Sequence, residues 1–207
     1  MANTKKTTKK KNTKGSSKVA KVKSKKAFGC YSSALRYLCE QTNYEQERHV
    51  RYNVTTFNLD RMKKFLDMLG NPQDDVQMVH LAGTKGKGST ATMVARMLEA
   101  AGYEVGLYTS PHVTDLRERI AVNSQMITQV AMTDLINRVH SIIEEMAEED
   151  PLSFFEIMTA LSFLHFKDSK VDIAVIETGL GGRLDSTNVI RPAVVGITSL
   201  SYDHQKQ

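Results

Sequence analysis

His80-Leu81-Ala82-Gly83-Thr84-Lys85-Gly86-Lys87-Gly88-Ser89-Thr90 is the stretch on which the reading of this chain turns. Just upstream, Val76–Ala82 is a short apolar run of strand length. Downstream, Thr92, Val94, Met97 and Leu98 recur at helical spacing until Gly102 ends the pattern. A glycine-rich turn between a strand and a helix is the context of a phosphate-binding loop. Its glycines let the backbone turn N–H groups inward, and the helix N-terminus adds partial positive charge. Gly83, Thr84, Lys85, Gly86, Lys87, Gly88, Ser89 and Thr90 are the candidate nucleotide contacts. Lys87 is placed to reach the β- and γ-phosphates, Ser89 or Thr90 to lie near a magnesium ion, and Lys85 reads as exposed. The common pattern GxxxxGK[ST] is not met: Leu81 stands at its first glycine, and Gly88 separates Lys87 from Ser89. The competing reading is a strand–helix turn with solvated lysines, which the flanking apolar strand and helix disfavour.

Working outward, Tyr31–Gln41 predicts a short helix. A second helix runs from an Asn58 cap through Leu59, Met62, Phe65, Leu66 and Leu69 to a stop at Gly70-Asn71-Pro72. Glu104–Thr109 and Arg119–Val122 predict strands, Ile127–Met146 a long amphipathic helix, and Ser153–Phe166 a buried helix after Pro151. Val171–Ile176 and Ala193–Thr198 are unbroken apolar runs of strand length. Strands alternating with helices predict an α/β fold, a mostly parallel sheet flanked by helices on both faces.

Composition sets limits on class. The chain has 207 residues, 41% of them hydrophobic, enough for one globular domain with a tail. No run of eighteen apolar residues and no apolar leader predict a soluble, cytoplasmic protein without membrane contact. Cys30 and Cys39 have neither zinc-site nor disulfide-framework spacing. The formal charge of +5 conceals an asymmetry, because residues 1–26 hold eleven lysines and no acid, leaving 17 basic against 23 acidic residues elsewhere. Residues 1–28 are expected to form a disordered Lys-rich tail. Such a tail either touches nucleic acid weakly through charge or simply solubilises, and the second reading is preferred.

Three ordinary residues gain meaning from a parallel topology, which brings strand ends together at one edge. Ser110, in Tyr108-Thr109-Ser110-Pro111-His112, follows the second strand; its hydroxyl reaches a metal or closes a turn before proline. Glu177 ends an apolar strand and offers the carboxylate oxygen that magnesium favours. His204, after Tyr202-Asp203, is an imidazole ligand or a surface histidine. His80 and His165 lie on apolar elements and read as core or boundary histidines, while His49, His112 and His140 have no partner by spacing. Ser153-Phe154-Phe155-Glu156 fits a capping box, yet two phenylalanines at a helix mouth can equally stack on a flat heterocycle.

The segments AGTKGKGST, YTSPH, LRERI, SFFEIMTAL, IETGLGGRLDSTNV and ITSLSYDH follow one another in this order over residues 31–207. Together they resemble the ATP-binding domain of the bifunctional folylpolyglutamate synthase/dihydrofolate synthase family, within the Mur ligase superfamily. The resemblance implies a Mur-ligase-like domain over residues 29–207 that binds ATP and Mg2+. It implies a ligase that phosphorylates the carboxylate of dihydropteroate or a folyl-polyglutamate and joins L-glutamate to the acyl phosphate. Carried over by residue, Lys87, Glu177 and His204 are the catalytic candidates, Thr84–Ser89 bind ATP, and Ser110, Glu177 and His204 hold the metal. Ser153, Phe154, Phe155, Glu156 and Leu184 match pterin-contacting positions, with Phe57 and Asn58 lining the same pocket. In that family a second, smaller α/β domain follows and supplies adenine and glutamate contacts. The chain therefore reads as a monomeric, C-terminally incomplete piece, inactive alone. A peptidoglycan-type Mur ligase is disfavoured by GLGGRLD and SFFE, and a non-catalytic nucleotide-binding module remains as the other class.

Overall fold

The computed structural model describes residues 27–43 and 59–201; the Lys-rich segment 1–26, Phe57, Asn58 and His204 lie outside the described residues. In chain order the elements are α1 (Tyr31–Cys39), α2 (Leu59–Met68), β1 (Gln77–Ala82), α3 (Lys87–Ala100), β2 (Val105–Tyr108), β3 (Ile120–Val122), β4 (Gln125–Met126), α4 (Gln129–Ala147), α5 (Phe154–Asp168), β5 (Ile173–Glu177) and β6 (Val194–Ile197). Single 3-10 turns occupy Pro72–Asp75, Leu116–Arg119 and Ser186–Val189. The sheet order is β4-β3-β2-β5-β1-β6, with β2, β5, β1 and β6 parallel and the β3–β4 end antiparallel. The mostly parallel α/β sheet expected from the sequence is present.

The apolar runs are continuous because both faces of the sheet are covered. On β5, Ile173 and Val175 pack on the α3 side with Val79, Leu81, Ala91, Ala95 and Val105. Ala174 and Ile176 turn to the larger core built with α1, α2, α4 and α5. Gly106 on β2 lets α5 close on that face, since a Cβ there would stand 2.7 Å from the Phe166 ring.

Several boundaries moved for local reasons. The last residues of the glycine-rich turn, Lys87–Ser89, already belong to α3, because Gly86 adopts a left-handed conformation (φ 81°) that turns the chain directly into the helix. Thr128 caps α4 by accepting from the Ala131 N–H, so the helix starts after Ile127. The β3–β4 hairpin was not anticipated. Its turn residues Asn123 and Ser124 both have positive φ (46° and 61°), and Asn123 Oδ1 accepts from the Val105 N–H at 2.9 Å. Among the described residues, no helix is long and apolar enough to cross a membrane.

Candidate functional site

Strand register brings the candidates together. Leu81 pairs with Glu177, Tyr108 with Ile176 and Ala82 with Ile197, so β1, β2, β5 and β6 end at one edge. Beyond those ends lie the glycine-rich loop, Ser110, Glu177 and Thr198.

The loop is stitched to the segment after β6. Thr84 and Lys85 donate their backbone N–H groups to the Ser199 carbonyl at 2.9 and 3.3 Å, and the Thr198 hydroxyl donates to the Lys85 carbonyl at 2.8 Å. Two amides of the predicted cradle are thereby committed to protein. Gly83 is required by this packing, because its φ is 141° and a Cβ would fall 2.0 Å from Thr198 Oγ1. The amides not committed in this way are at the start of α3, where Gly86 supplies no side-chain cap and the first-turn N–H groups have no intrahelical acceptor. Lys85 and Ser89 are exposed, whereas Lys87, Gly88 and Thr90 are half-buried.

Glu177 is 4% exposed and lies against that helix end. A Cβ on Gly88 would stand 3.3 Å from Glu177 Oε2, so the glycine keeps room beside the carboxylate. The same oxygen accepts from the Ser110 backbone N–H at 3.1 Å. Burial pushes the Glu177 carboxyl up from its ordinary value; the Ser110 N–H and the charges of Lys87 and Arg119 oppose this, and Asp185 adds to it. Ser110 and Glu177 thus lie together at this edge, joined through the Ser110 backbone N–H and not through the hydroxyl expected to reach a metal, while His204 lies outside the described residues. Among the described residues, no group of three His, Cys, Asp or Glu side chains is arranged to hold a metal.

The mouth of α5 divides its residues between structure and surface. Ser153 and Glu156 form the capping box, Glu156 Oε2 accepting from the Ser153 N–H at 2.8 Å and from its hydroxyl at 2.7 Å. Arg61 Nε adds bonds of 2.9 and 3.1 Å to the same carboxylate. Phe154 is 2% exposed and packs under the Arg119 guanidinium. Phe155, half-buried, faces Tyr108 across 6.0 Å and closes on Gly179, where a Cβ would stand 2.6 Å from its ring. Leu184 is half-buried in the adjoining loop.

Asp185, Arg61 and Arg119 were not singled out from the sequence. Asp185 is 3% exposed and organises the Gly179–Leu184 loop: Oδ2 accepts from the Leu180 N–H at 2.8 Å, and Oδ1 from Thr187 N–H and Oγ1 at 3.0 and 2.5 Å. His80 Nε2 reaches Thr187 Oγ1 at 2.8 Å, and burial pushes its imidazole down to about 4, so it is the neutral core histidine expected. The Asp-Ser-Thr run was the available signal for this Asx-type turn.

No family model matches the chain. It is 45% identical over 149 residues to the dihydrofolate synthase/folylpolyglutamate synthase of Bacillus subtilis, covering 70% of this chain and 35% of that protein. Its fold superposes on a Thermotoga maritima folylpolyglutamate synthase with TM-score 0.75 at 39% identity, covering 83% of this chain and 38% of the other. The chain belongs to the folylpolyglutamate synthase/dihydrofolate synthase family. A folylpolyglutamate synthase in complex with AMPPCP and folate is equally similar, with TM-score 0.76, 36% identity, and coverage of 86% and 42%. The chain spans about two fifths or less of the length of these folylpolyglutamate synthase relatives.

Proposed function

We propose that the carboxyl-edge crevice is the ATP- and magnesium-binding part of a ligase that adds L-glutamate to dihydropteroate or a folyl-polyglutamate. The single observation that carries the reading is the buried Glu177 carboxylate lying beside the uncapped start of α3. A helix start with a half-buried lysine suits the β- and γ-phosphates. A carboxylate with a glycine-sized space beside it suits a hard cation. Family membership, and the AMPPCP and folate bound by the similar synthase, support both assignments.

Bound magnesium would neutralise phosphate charge, with Glu177, Ser110 and His204 as its holders. The chain's own residues would do the positioning. Lys87 holds the transferred phosphoryl oxygens, and Gly86–Gly88 bring α3 amides against the nucleotide. Phe155 and Leu184 flank the flat pterin, while Ser153 and Glu156 hold the helix mouth that presents Phe155. The substrate carboxylate would take the γ-phosphoryl group as ADP leaves, and the glutamate amine, giving up a proton, would then displace phosphate from the acyl phosphate to form the amide. ADP release by the full-length protein containing this chain tests the proposal. It should require L-glutamate together with dihydropteroate or a reduced folate, and release indifferent to both acceptors would refute the ligase reading.

A further inference from the structure

His112 has no partner by sequence spacing, but the fold gives it one. Arg119 is 1% exposed, and its Nε donates to His112 Nδ1 at 2.9 Å. A guanidinium can only donate, so Nδ1 is the unprotonated nitrogen and the proton of the neutral ring is on Nε2. The intervening residues form a closed scaffold. Glu118 accepts from the N–H groups of Val113, Thr114 and Asp115 at 2.7, 3.0 and 2.8 Å and from the Thr114 hydroxyl at 2.5 Å. At the base, the Thr109 N–H donates to the Arg119 carbonyl at 3.1 Å. The guanidinium also lies 5.3 Å from the Phe154 ring centroid, tying this loop to the mouth of α5, and its charge acts on Glu177. His112 itself is partly exposed and stands two residues from Ser110, whose N–H is on Glu177.

We propose that Arg119 is a positioning residue that fixes His112 as an Nε2–H donor to an anionic oxygen of a ligand in the crevice, either a nucleotide phosphate or a folate-type carboxylate. The ligand half rests on the function proposed above; the tautomer half does not. A buried arginine stacked on an aromatic ring is an expensive way to hold a loop unless the orientation of the group it bonds matters.

Nitrogen-15 NMR of the full chain tests the first half. His112 should give an Nδ1 resonance of the unprotonated type in the wild type and a tautomer mixture in Arg119→Met; a wild-type Nδ1–H ring would overturn the inference. The second half is read by titrating AMPPCP with Mg2+, and separately folate, into the full-length protein containing this chain, as wild type, His112→Leu and His112→Gln. Leucine should weaken one of the two about tenfold, and glutamine, which keeps a donor near the distal nitrogen, should restore most of it. The arm that weakens identifies the anion. Unchanged affinity for both in His112→Leu would overturn the ligand assignment. Failure of the wild type to bind either probe would instead refute the nucleotide–folate reading of the crevice, leaving the tautomer result to stand or fall by itself.

Discussion

Gly83 and Gly86 bear the conformational demand of the loop, and they do so differently. Gly86 turns the chain in open space, whereas Gly83 is pinned against Thr198. Gly83→Ala must displace the β6 exit, and should destabilise the chain by about 1–3 kcal/mol, more than Gly86→Ala, as read by denaturant unfolding. Equal effects would contradict the stitched loop. His80 makes the second prediction at this scale. Its folded value of about 4 lies below the ordinary 6.5, so the unfolded chain binds the extra proton first. Stability should therefore be undiminished above pH 6.5 and fall as the pH drops from there toward 4, at up to about 1.4 kcal/mol per pH unit. His80→Gln should flatten that part of the melting-temperature profile, and an unchanged slope would assign it to other groups.

The helix mouths decide where elements begin. Ser153→Ala removes the cap of α5 and should cost about 1 kcal/mol. Arg61→Met leaves the Glu156 carboxylate buried at 3% exposure without its cation, and should cost more, about 3–5 kcal/mol, in the same unfolding measurement. The reverse order would show that the cap, not the ion pair, holds this end. Ser153 and Glu156 were legible because a capping box is local, three residues across. Arg61 was not, since its partner lies 95 residues away and only the tertiary fold joins them. The parallel strands were legible for the same reason as the box: two covered faces leave an unbroken apolar run. The β3–β4 hairpin escaped because Asn123-Ser124 lacks the glycine that usually marks such a turn. At the site, Glu177 and Ser110 could be placed from strand ends alone. The Arg119–His112 pair could not, because a loop must close before those side chains meet.

Across the molecule, one edge of the sheet stands apart from the rest. β6 leaves Val194, Val195 and Ile197 58%, 61% and 67% exposed, an apolar edge strand of the kind that pairs with other chains. Val194→Lys together with Val195→Lys should change the unfolding free energy of the 207-residue chain by less than about 0.5 kcal/mol; a larger loss would show that these side chains are packed. The carboxyl end of β6 carries Thr198 and Ser199 against the glycine-rich loop, so the same strand joins that exposed edge to the proposed ligand site. The proposed site is a magnesium–nucleotide cradle built by β1, α3 and β5. Calorimetric titration of AMPPCP into the full-length protein containing this chain and into its Lys87→Ala variant, with and without Mg2+, tests this. Binding should depend on magnesium and weaken by about 1.5–3 kcal/mol in Lys87→Ala. Binding that is absent, or indifferent to both magnesium and Lys87, would contradict it.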